Sequence, residues 1–175
     1  MKTIVVYQSS TGFTKKYAQW IAEELSCDLA DHEAASKKIS DYDVIIYGGG
    51  ITAGRIAGLD KLKKNPHIYG KKLILFATGA TDRNASKIIN SIRDNNLSQQ
   101  EQESIPFYYF ESGINYENMG FFSKTLLKGM CKSLQKKKDR TDEETGMMNA
   151  LMKSNDHSDK ALIKPLITYV KGVSI

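Results

Sequence analysis

The chain has 175 residues, of which 41% are hydrophobic and 26% charged, and its net charge is +5. This length and composition favour a single domain, residues 1–175, with a core of its own. No run of 18 apolar residues suggests a membrane span, and no signal-peptide core precedes the first strand, so we expect a cytoplasmic protein.

The first 25 residues predict a strand, a hydroxyl-rich loop and a helix. Residues 2–7 are a short β-branched apolar run, which is typical of a buried strand. Residues 8–14 place hydroxyl side chains around one glycine, and residues 15–25 have helical spacing. The apolar face of this helix is formed by Phe13, Tyr17, Trp20, Ile21 and Leu25.

A strand, such a loop and a helix N-terminus together predict an anion-binding site. The first amides of a helix have no partner within it, and the helix dipole adds partial positive charge there. Gly12 allows a backbone conformation that a side chain would block, and Ser9, Ser10, Thr11 and Thr14 supply further donors. The loop contains no Lys or Arg, so hydrogen bonds more than opposite charge would hold a phosphate. The spacing excludes a P-loop and a dinucleotide fingerprint, while an ordinary Ser/Thr turn that caps the helix stays open.

Two more strands are predicted before residue 50. Residues 27–30 form a weak second strand, and residues 43–47 form an apolar third strand of the kind that helices cover on both faces. The third strand runs into segment 48–55, which begins with three consecutive glycines. Because glycine offers no side chain for packing, we predict that these residues form backbone bends or allow a ligand to approach closely.

The chain continues to alternate helices and strands. Strands are predicted at residues 72–77 and 105–110, followed by the loops 78–82 and 111–116. Helices are predicted near residues 59–64, then around Ile88, Ile89 and Ile92 with Asp82 or Asn84 as the cap, and at residues 119–134 with Leu127 and Cys131 on adjoining apolar rows. An exposed loop at 135–146 precedes a last helix that begins near Ser158 or at Pro165 and ends at Gly172.

This alternation predicts an α/β fold: a three-layer α/β/α sandwich around an open five-stranded parallel sheet. In the strand order 2-1-3-4-5, a ligand binds beyond the carboxyl ends of the strands, where the order reverses between strands one and three. The loops after strands one, three and four are rich in small residues and hydroxyls. We therefore expect these loops to converge on one crevice.

The chain resembles the flavodoxin-like FMN proteins over nearly its whole length. Ser9, Thr11, Gly12 and Thr14 match the Thr/Ser-x-Thr-Gly-x-Thr loop by which flavodoxins hold the FMN phosphate. The opening residues 1–7, the glycine-rich segment 47–54 and the helix 121–134 placed soon after residues 113–116 are similar to the branch that contains menaquinone-dependent protoporphyrinogen dehydrogenase.

The resemblance implies a flavodoxin-like fold with FMN as the cofactor. Residues 9–14 would bind the phosphate, and segments 49–54 and 78–80 would flank the isoalloxazine ring. Peptide groups of residues 48–51 would hydrogen-bond flavin N5 and change orientation as N5 gains a proton, with no catalytic side chain required. The implied cofactor-binding residues are Ser9, Ser10, Thr11, Gly12, Phe13, Thr14, Gly49, Gly50, Ile51, Thr52, Ala53, Gly54, Thr78, Gly79 and Ala80.

Other residues carry weaker expectations. Flavodoxins commonly hold the flavin ring between aromatic side chains, but segments 48–55 and 78–83 contain neither Trp nor Tyr. Tyr116 could reach the site or lie at its rim, and Arg55 could meet a flavin carbonyl or an incoming carboxylate, or be solvated. We expect Trp20 in the core. The three histidines, His32, His67 and His157, are expected on the surface, while Cys27 and Cys131 are expected to be reduced thiols outside any metal site.

Three functions follow as hypotheses. The leading one is an FMN-binding redox protein that exchanges electrons with a partner protein or a small-molecule acceptor. The alternative is an FMN-dependent dehydrogenase acting on protoporphyrinogen with a quinone acceptor, whose helix with Phe121 and Phe122 could rest on a membrane surface. The third is a binding module that has lost the cofactor. Lysine clusters at 61–64, 71–72 and 136–138 are either solvated or attract an acidic protein, lipid headgroups or a carboxylate; no nucleic-acid partner is expected, and the oligomeric state is left open.

Overall fold

The centre of the molecule is a parallel β-sheet. The computed structural model describes residues 1–115, 117–136 and 154–173. Within these residues the sheet runs in the order β2-β1-β3-β5-β6, and the short β4 pairs antiparallel with the end of β3. The predicted order of five parallel strands is confirmed, with β4 as an added strand. The strands are β1 (Thr3–Gln8), β2 (Asp28–Asp31), β3 (Val44–Thr52), β4 (Arg55–Ile56), β5 (Lys72–Gly79) and β6 (Phe107–Glu111).

Helices cover both faces of this sheet. On one face α1 and α7 contribute Tyr17, Ile21 and Leu166 to the core, and on the other face α3 and α4 contribute Leu62 and Ile92. The predicted α/β/α sandwich is therefore confirmed. The helices are α1 (Phe13–Leu25), α2 (His32–Ala35), α3 (Leu59–Lys63), α4 (Ser86–Asn96), α5 (Gln99–Ser104), α6 (Phe121–Lys136) and α7 (Lys164–Val173), and short 3-10 turns lie at Ile39–Asp41, Pro66–Ile68 and Lys160–Ile163.

The middle residues of the central strands are apolar because both faces of these strands are buried. Val5 and Ile46 pack toward α1 and α7, whereas Ile4 and Ile45 pack toward the opposite helical layer. All four side chains are fully buried. Successive residues of a strand point to opposite faces, so a strand between two helical layers has no polar side.

The glycine run lies inside β3, so the predicted bends at residues 48–50 are wrong. Gly48 pairs with Phe76 and Gly49 with Ala77 in regular parallel register. A Cβ on Gly48 would overlap the Phe76 ring, and one on Gly49 would lie 2.6 Å from Ile56 Cγ2. Packing thus does explain these two glycines, because neighbouring groups occupy the space that their side chains would need.

Several local predictions also fail. Ala85 is the N-cap of α4, and the Asp82 carboxylate accepts the amide hydrogen of Asn84 instead of capping that helix. Ile88, expected on the apolar face, is 54% exposed. The helix α5 is additional, and a capping box between Ser98 and Glu101 starts it.

A second, two-stranded sheet follows β6. Here β7 (Gly113–Ile114) pairs antiparallel with β8 (Asn155–Asp156), which leads into the last helix. That helix matches the prediction, with Pro165 in its first turn. The predicted helix at 119–134 is present as α6, which continues to Lys136, so the first two residues of the predicted loop 135–146 are helical instead; residues 137–146 lie outside the described residues. Among the helices that the structure describes, none is long and apolar enough to cross a membrane.

Candidate functional site

A cleft of about 310 Å³ lies at the carboxyl ends of the central strands. Its walls come from the loop after β1, the end of β3, the end of β5 and the segment after β6. The three loops predicted to converge therefore do meet in one crevice. The predicted site residues that line it are Ser10, Thr11, Phe13, Gly50, Ile51, Thr52, Ala53, Thr78, Gly79 and Ala80.

Five predicted site residues do not line the cleft. They are Ser9, Gly12, Thr14, Gly49 and Gly54. Gly49 makes room for Ile56 and Ala57, and Thr14 is 2% exposed.

The N-terminus of α1 carries free donor capacity. Gly12 is the N-cap residue, with φ of 95°, and no side chain caps the helix. Its first turn contains no acidic residue. The first amides of an α-helix have no intrahelical acceptor, and the helix dipole makes this end attractive to anions. The predicted alternative, a turn whose Ser or Thr caps the helix, is therefore wrong.

The peptide between Thr11 and Gly12 is held from both sides. The Gly12 amide donates to Ser9 Oγ at 3.1 Å. The carboxamide of Asn115 donates from Nδ2 to the Thr11 carbonyl oxygen at 3.2 Å. These two hydrogen bonds fix the plane of this peptide in the loop.

Two threonine hydroxyls join the loop after β1 to the end of β5. Thr14 Oγ1 and Thr78 Oγ1 are 2.8 Å apart, and both residues are buried. A Cβ on Gly50 would lie 3.5 Å from Thr14 Oγ1, which is ordinary contact distance. Unlike Gly48 and Gly49, Gly50 is thus not required by packing, and it lines the cleft.

The sharp turn at this edge of the sheet follows the glycine run. Thr52 and Arg55 pair across it, and the two central residues have positive φ: 50° at Ala53 and 76° at Gly54. Positive φ at both central positions is the pattern of a type I′ hairpin turn. A non-glycine residue in this conformation is unfavourable, so Ala53 is a strained residue at the rim of the cleft.

The sequence did not identify the remaining walls of the cleft. They are mostly small or aliphatic, and among the described residues that line the cleft none is charged and none is Trp or Tyr. The sequence did offer one sign of this wall: the small residues Ser112 and Gly113 directly follow β6, just as small residues follow the other strands that end at the cleft. Tyr116 lies outside the described residues. The missed residues are Ala57, Ser112, Gly113, Ile114, Met119 and Leu127.

The contacts of Arg55 do not support the ligand-binding role considered for it. Its guanidinium forms an ion pair with Asp60 at 2.8 Å and donates to the carbonyl of Asn95. It does not line the cleft. These contacts anchor the β3–β4 turn to α4 and occupy the charge of the arginine.

Several lysines of the basic clusters are also engaged. Lys63 pairs with Glu101 at 2.8 Å, and Lys71 donates to the carbonyl of Ser40. Lys72 lies over the ring of Tyr169. The clusters at 61–64 and 71–72 are therefore partly structural, while residues 137 and 138 lie outside the described part of the chain.

The histidines divide into two groups. His67 and His157 are exposed, as predicted, but His32 is 8% exposed and packs edge-on against Tyr47, so its predicted surface position is wrong. Burial, and next the charge of Lys61, lower the pKa of His32. Trp20 is half-buried against the core beside Tyr17, consistent with its predicted packing role.

Charged and polar contacts tie β8 to the start of α1. Lys16 Nζ lies 2.8 Å from Asp156 Oδ2, and the amide of Asp159 donates to the Tyr17 hydroxyl at 3.1 Å. Burial alone would raise the pKa of Asp156, but hydrogen bonds from Lys16 and Ser158 lower it to about 2. Burial also raises the pKa of Tyr17. Lys16 is therefore paired with Asp156, although it lies near the uncapped N-terminus of α1.

No reactive thiol or metal cluster is seen in the ranges that the structure describes. Burial, and next the charge of Asp28, raise the pKa of Cys27 to about 11, which leaves its thiol protonated at neutral pH. Cys131 is buried on α6. Among residues 1–115, 117–136 and 154–173, no group of three His, Cys, Asp or Glu side chains could hold a metal ion.

The sequence model of one protein family, described as "Flavodoxin domain", matches residues 4–142. No curated protein matches the chain.

The chain is also similar to solved structures. Oxidised flavodoxin 2 from Bacillus cereus is 21% identical, with a TM-score of 0.42 over 62% of this chain and 84% of that one. Smu.1420 from Streptococcus mutans is 10% identical, with a TM-score of 0.46 over 73% and 94%. A flavoprotein in complex with FMN from Lactobacillus acidophilus is 19% identical, with a TM-score of 0.38 over 63% and 91%.

Proposed function

The chain belongs to the flavodoxin domain family, and from this premise and the cleft we propose that it is an FMN-binding redox protein. The observation that carries the proposal is the uncapped N-terminus of α1, which lies beside a cleft floored by backbone, small residues and hydroxyls. The cleft volume of about 310 Å³ lies within the range of small-molecule sites, roughly 300–1,000 Å³.

The residues present fit the phosphate of FMN. In our proposal the first amides of α1 and the hydroxyls of Ser10 and Thr11 bind the phosphate, as donors to an anion at a helix N-terminus. No Lys or Arg lines the described part of the cleft, so neutral donors supply most of the attraction. The affinity should then depend only weakly on salt, because there is little charge pairing to screen.

The other walls fit the ring of the flavin. Gly50 and Gly79 leave the backbone accessible, and Ile51, Ile114 and Leu127 supply apolar surface that excludes water. A bound flavin supplies electron and hydride transfer, and the protein positions it and tunes its potential. Gly48 and Gly49 are paired with both β1 and β5, and Gly50 is paired with β5, so we assign any peptide rotation near flavin N5 to the turn at Ala53 and Gly54.

We propose that the electrons pass to a redox partner protein or a small-molecule acceptor in the cytoplasm. The dehydrogenase alternative drew on Phe121 and Phe122, whose side chains lie outside the described residues. Assaying protoporphyrinogen oxidation with a quinone acceptor tests that alternative: turnover would make the protein an enzyme, and rapid electron exchange without turnover would leave it a carrier.

Titration of the purified protein with FMN and with riboflavin tests the cofactor proposal. We expect a flavin spectrum, tighter binding of FMN than of riboflavin, and loss of that preference in the double variant Thr11→Val, Gly12→Ala, because Gly12 has positive φ. Ser91→Ala on the exposed surface of α4 is the control and should bind as the wild type does. A colourless protein that ignores FMN would overturn the proposal, and an undiminished preference in the double variant would show that the phosphate lies elsewhere.

A further inference from the structure

Asn115 lies just beyond β7 and outside the lining of the cleft, yet it contacts the loop beside it. Its Nδ2 donates to the Thr11 carbonyl at 3.2 Å, and its Oδ1 accepts the amide hydrogen of Asn118 at 3.2 Å. Both ends of the carboxamide are therefore used, one toward the loop after β1 and the other toward the segment that leads into α6.

The backbone segment that precedes Asn115 is held in place by hydrogen bonds. The preceding Ile114 amide donates to Asn155 Oδ1 at 2.9 Å, and the Ser112 amide donates to the Gly79 carbonyl at 2.8 Å. Pairing of β7 with β8 adds a second support. A side chain held by such surroundings can fix the orientation of a group that it contacts.

The Thr11–Gly12 peptide, which Asn115 contacts, has two available orientations. In a trans peptide the carbonyl of Thr11 and the amide of Gly12 point in opposite directions. Rotation of this peptide would change φ of Gly12 from its present 95° toward negative values, and glycine populates both signs of φ readily. The same rotation would break both hydrogen bonds, to Asn115 and to Ser9, and bring the carbonyl oxygen to the side that now carries the amide.

We propose that Asn115 is a positioning residue for the phosphate end of the cleft: it holds the Thr11–Gly12 peptide in the orientation in which the loop binds an anion. This inference rests on the proposed function. It assigns Asn115 no contact with FMN, only control of the loop that makes the contact. Ser9 holds the other side of the same peptide, so the two side chains act on one element.

The experiment compares FMN and riboflavin binding by wild type, Asn115→Ala and Asn115→Asp, using flavin fluorescence. Loss of one hydrogen bond of this kind should weaken FMN binding by roughly five- to tenfold, and riboflavin binding, which involves no phosphate, should change less than about twofold. Asn115→Asp should be worse for FMN because it replaces the donor with a negative charge. Asn90→Ala, on exposed α4, is the matched control and should leave both affinities unchanged.

A double-mutant cycle with Ser9→Ala adds a second readout. If both side chains hold one peptide, the effects of Ser9→Ala and Asn115→Ala on FMN binding should be non-additive. Wild type that binds FMN, together with Asn115→Ala that binds it equally well, would overturn this inference and leave the proposed function standing. Equal losses of FMN and riboflavin affinity would also overturn it, since they indicate general disruption of the cleft. Wild type that fails to bind FMN would overturn both.

Discussion

The ring of Phe76 fills the space above Gly48 where any other residue would carry its Cβ. The two residues are direct partners in the pairing of β3 with β5, and both are buried. An aromatic side chain covering a glycine on the neighbouring strand stabilises the sheet and closes the space that the glycine leaves. The first glycine of the run is therefore a packing residue.

Gly48→Ala should lower the free energy of unfolding by about 1–3 kcal/mol, because the new methyl group forces the Phe76 ring to move in a packed core. Urea denaturation followed by circular dichroism measures this change. Gly129→Ala in α6 is the control: a Cβ there meets no atom of the described residues within 4 Å, and alanine should instead stabilise the helix by roughly 0.5–1 kcal/mol. Equal stability of wild type and Gly48→Ala would contradict the packing role.

Thr14→Val should destabilise the protein by about 1–3 kcal/mol, because the Thr78 hydroxyl would be left buried without its present partner. The double variant Thr14→Val, Thr78→Val removes both hydroxyls and should cost less than the sum of the single variants. Denaturation of all four proteins supplies the coupling energy. Strictly additive losses would mean that the two hydroxyls do not stabilise each other.

The stability of the fold should fall as the pH drops below about 6.5, the ordinary pKa of histidine, because of His32. Its pKa is lower in the folded protein than the ordinary value of about 6.5 in the unfolded chain. Below that ordinary value the unfolded chain takes up the proton more readily, so unfolding becomes easier until the folded-state pKa is reached. The stability that His32 contributes is fully present above the pKa of the unfolded chain and is lost as the pH falls through the lower pKa of the folded protein.

Unfolding free energies measured between pH 7 and 5 in wild type and in His32→Gln test this origin. We expect a shallower pH dependence in His32→Gln than in wild type, because the substitution removes the histidine whose pKa is lowered in the folded protein. The same slope in His32→Gln as in wild type would assign the effect to other groups.

What the sequence could predict were features encoded in contiguous residues. The apolar runs at β1, β3 and β5 specify buried strands, and the alternation with helices specifies the sheet order. The small residues that follow these strands were therefore correctly placed at one edge. What it could not predict depends on contacts between distant residues: Gly48 extends a strand because of Phe76, and β7 exists because Asn155 and Asp156 lie beside it.

The candidate site likewise combines features that contiguous residues predict with contacts between residues far apart in sequence. Ser10 and Thr11 line the cleft as expected from the motif, but the hydroxyl of Thr14 turns to Thr78, which is 64 residues away in sequence. His32 was assigned to the surface because polar residues surround it in sequence, yet it packs on Tyr47. Neither contact has a local signature.

The pairing of β7 with β8 has a consequence for how the protein is made. Asn155 and Asp156 brace the segment that carries Asn115, and Leu166 and Val170 of α7 cover the core beneath α1. A nascent chain on the ribosome therefore lacks these supports until Val170 has been synthesised, however early its first strands emerge. Under the proposed function, a nascent chain should therefore bind FMN only after the residues of β8 and α7 have been synthesised.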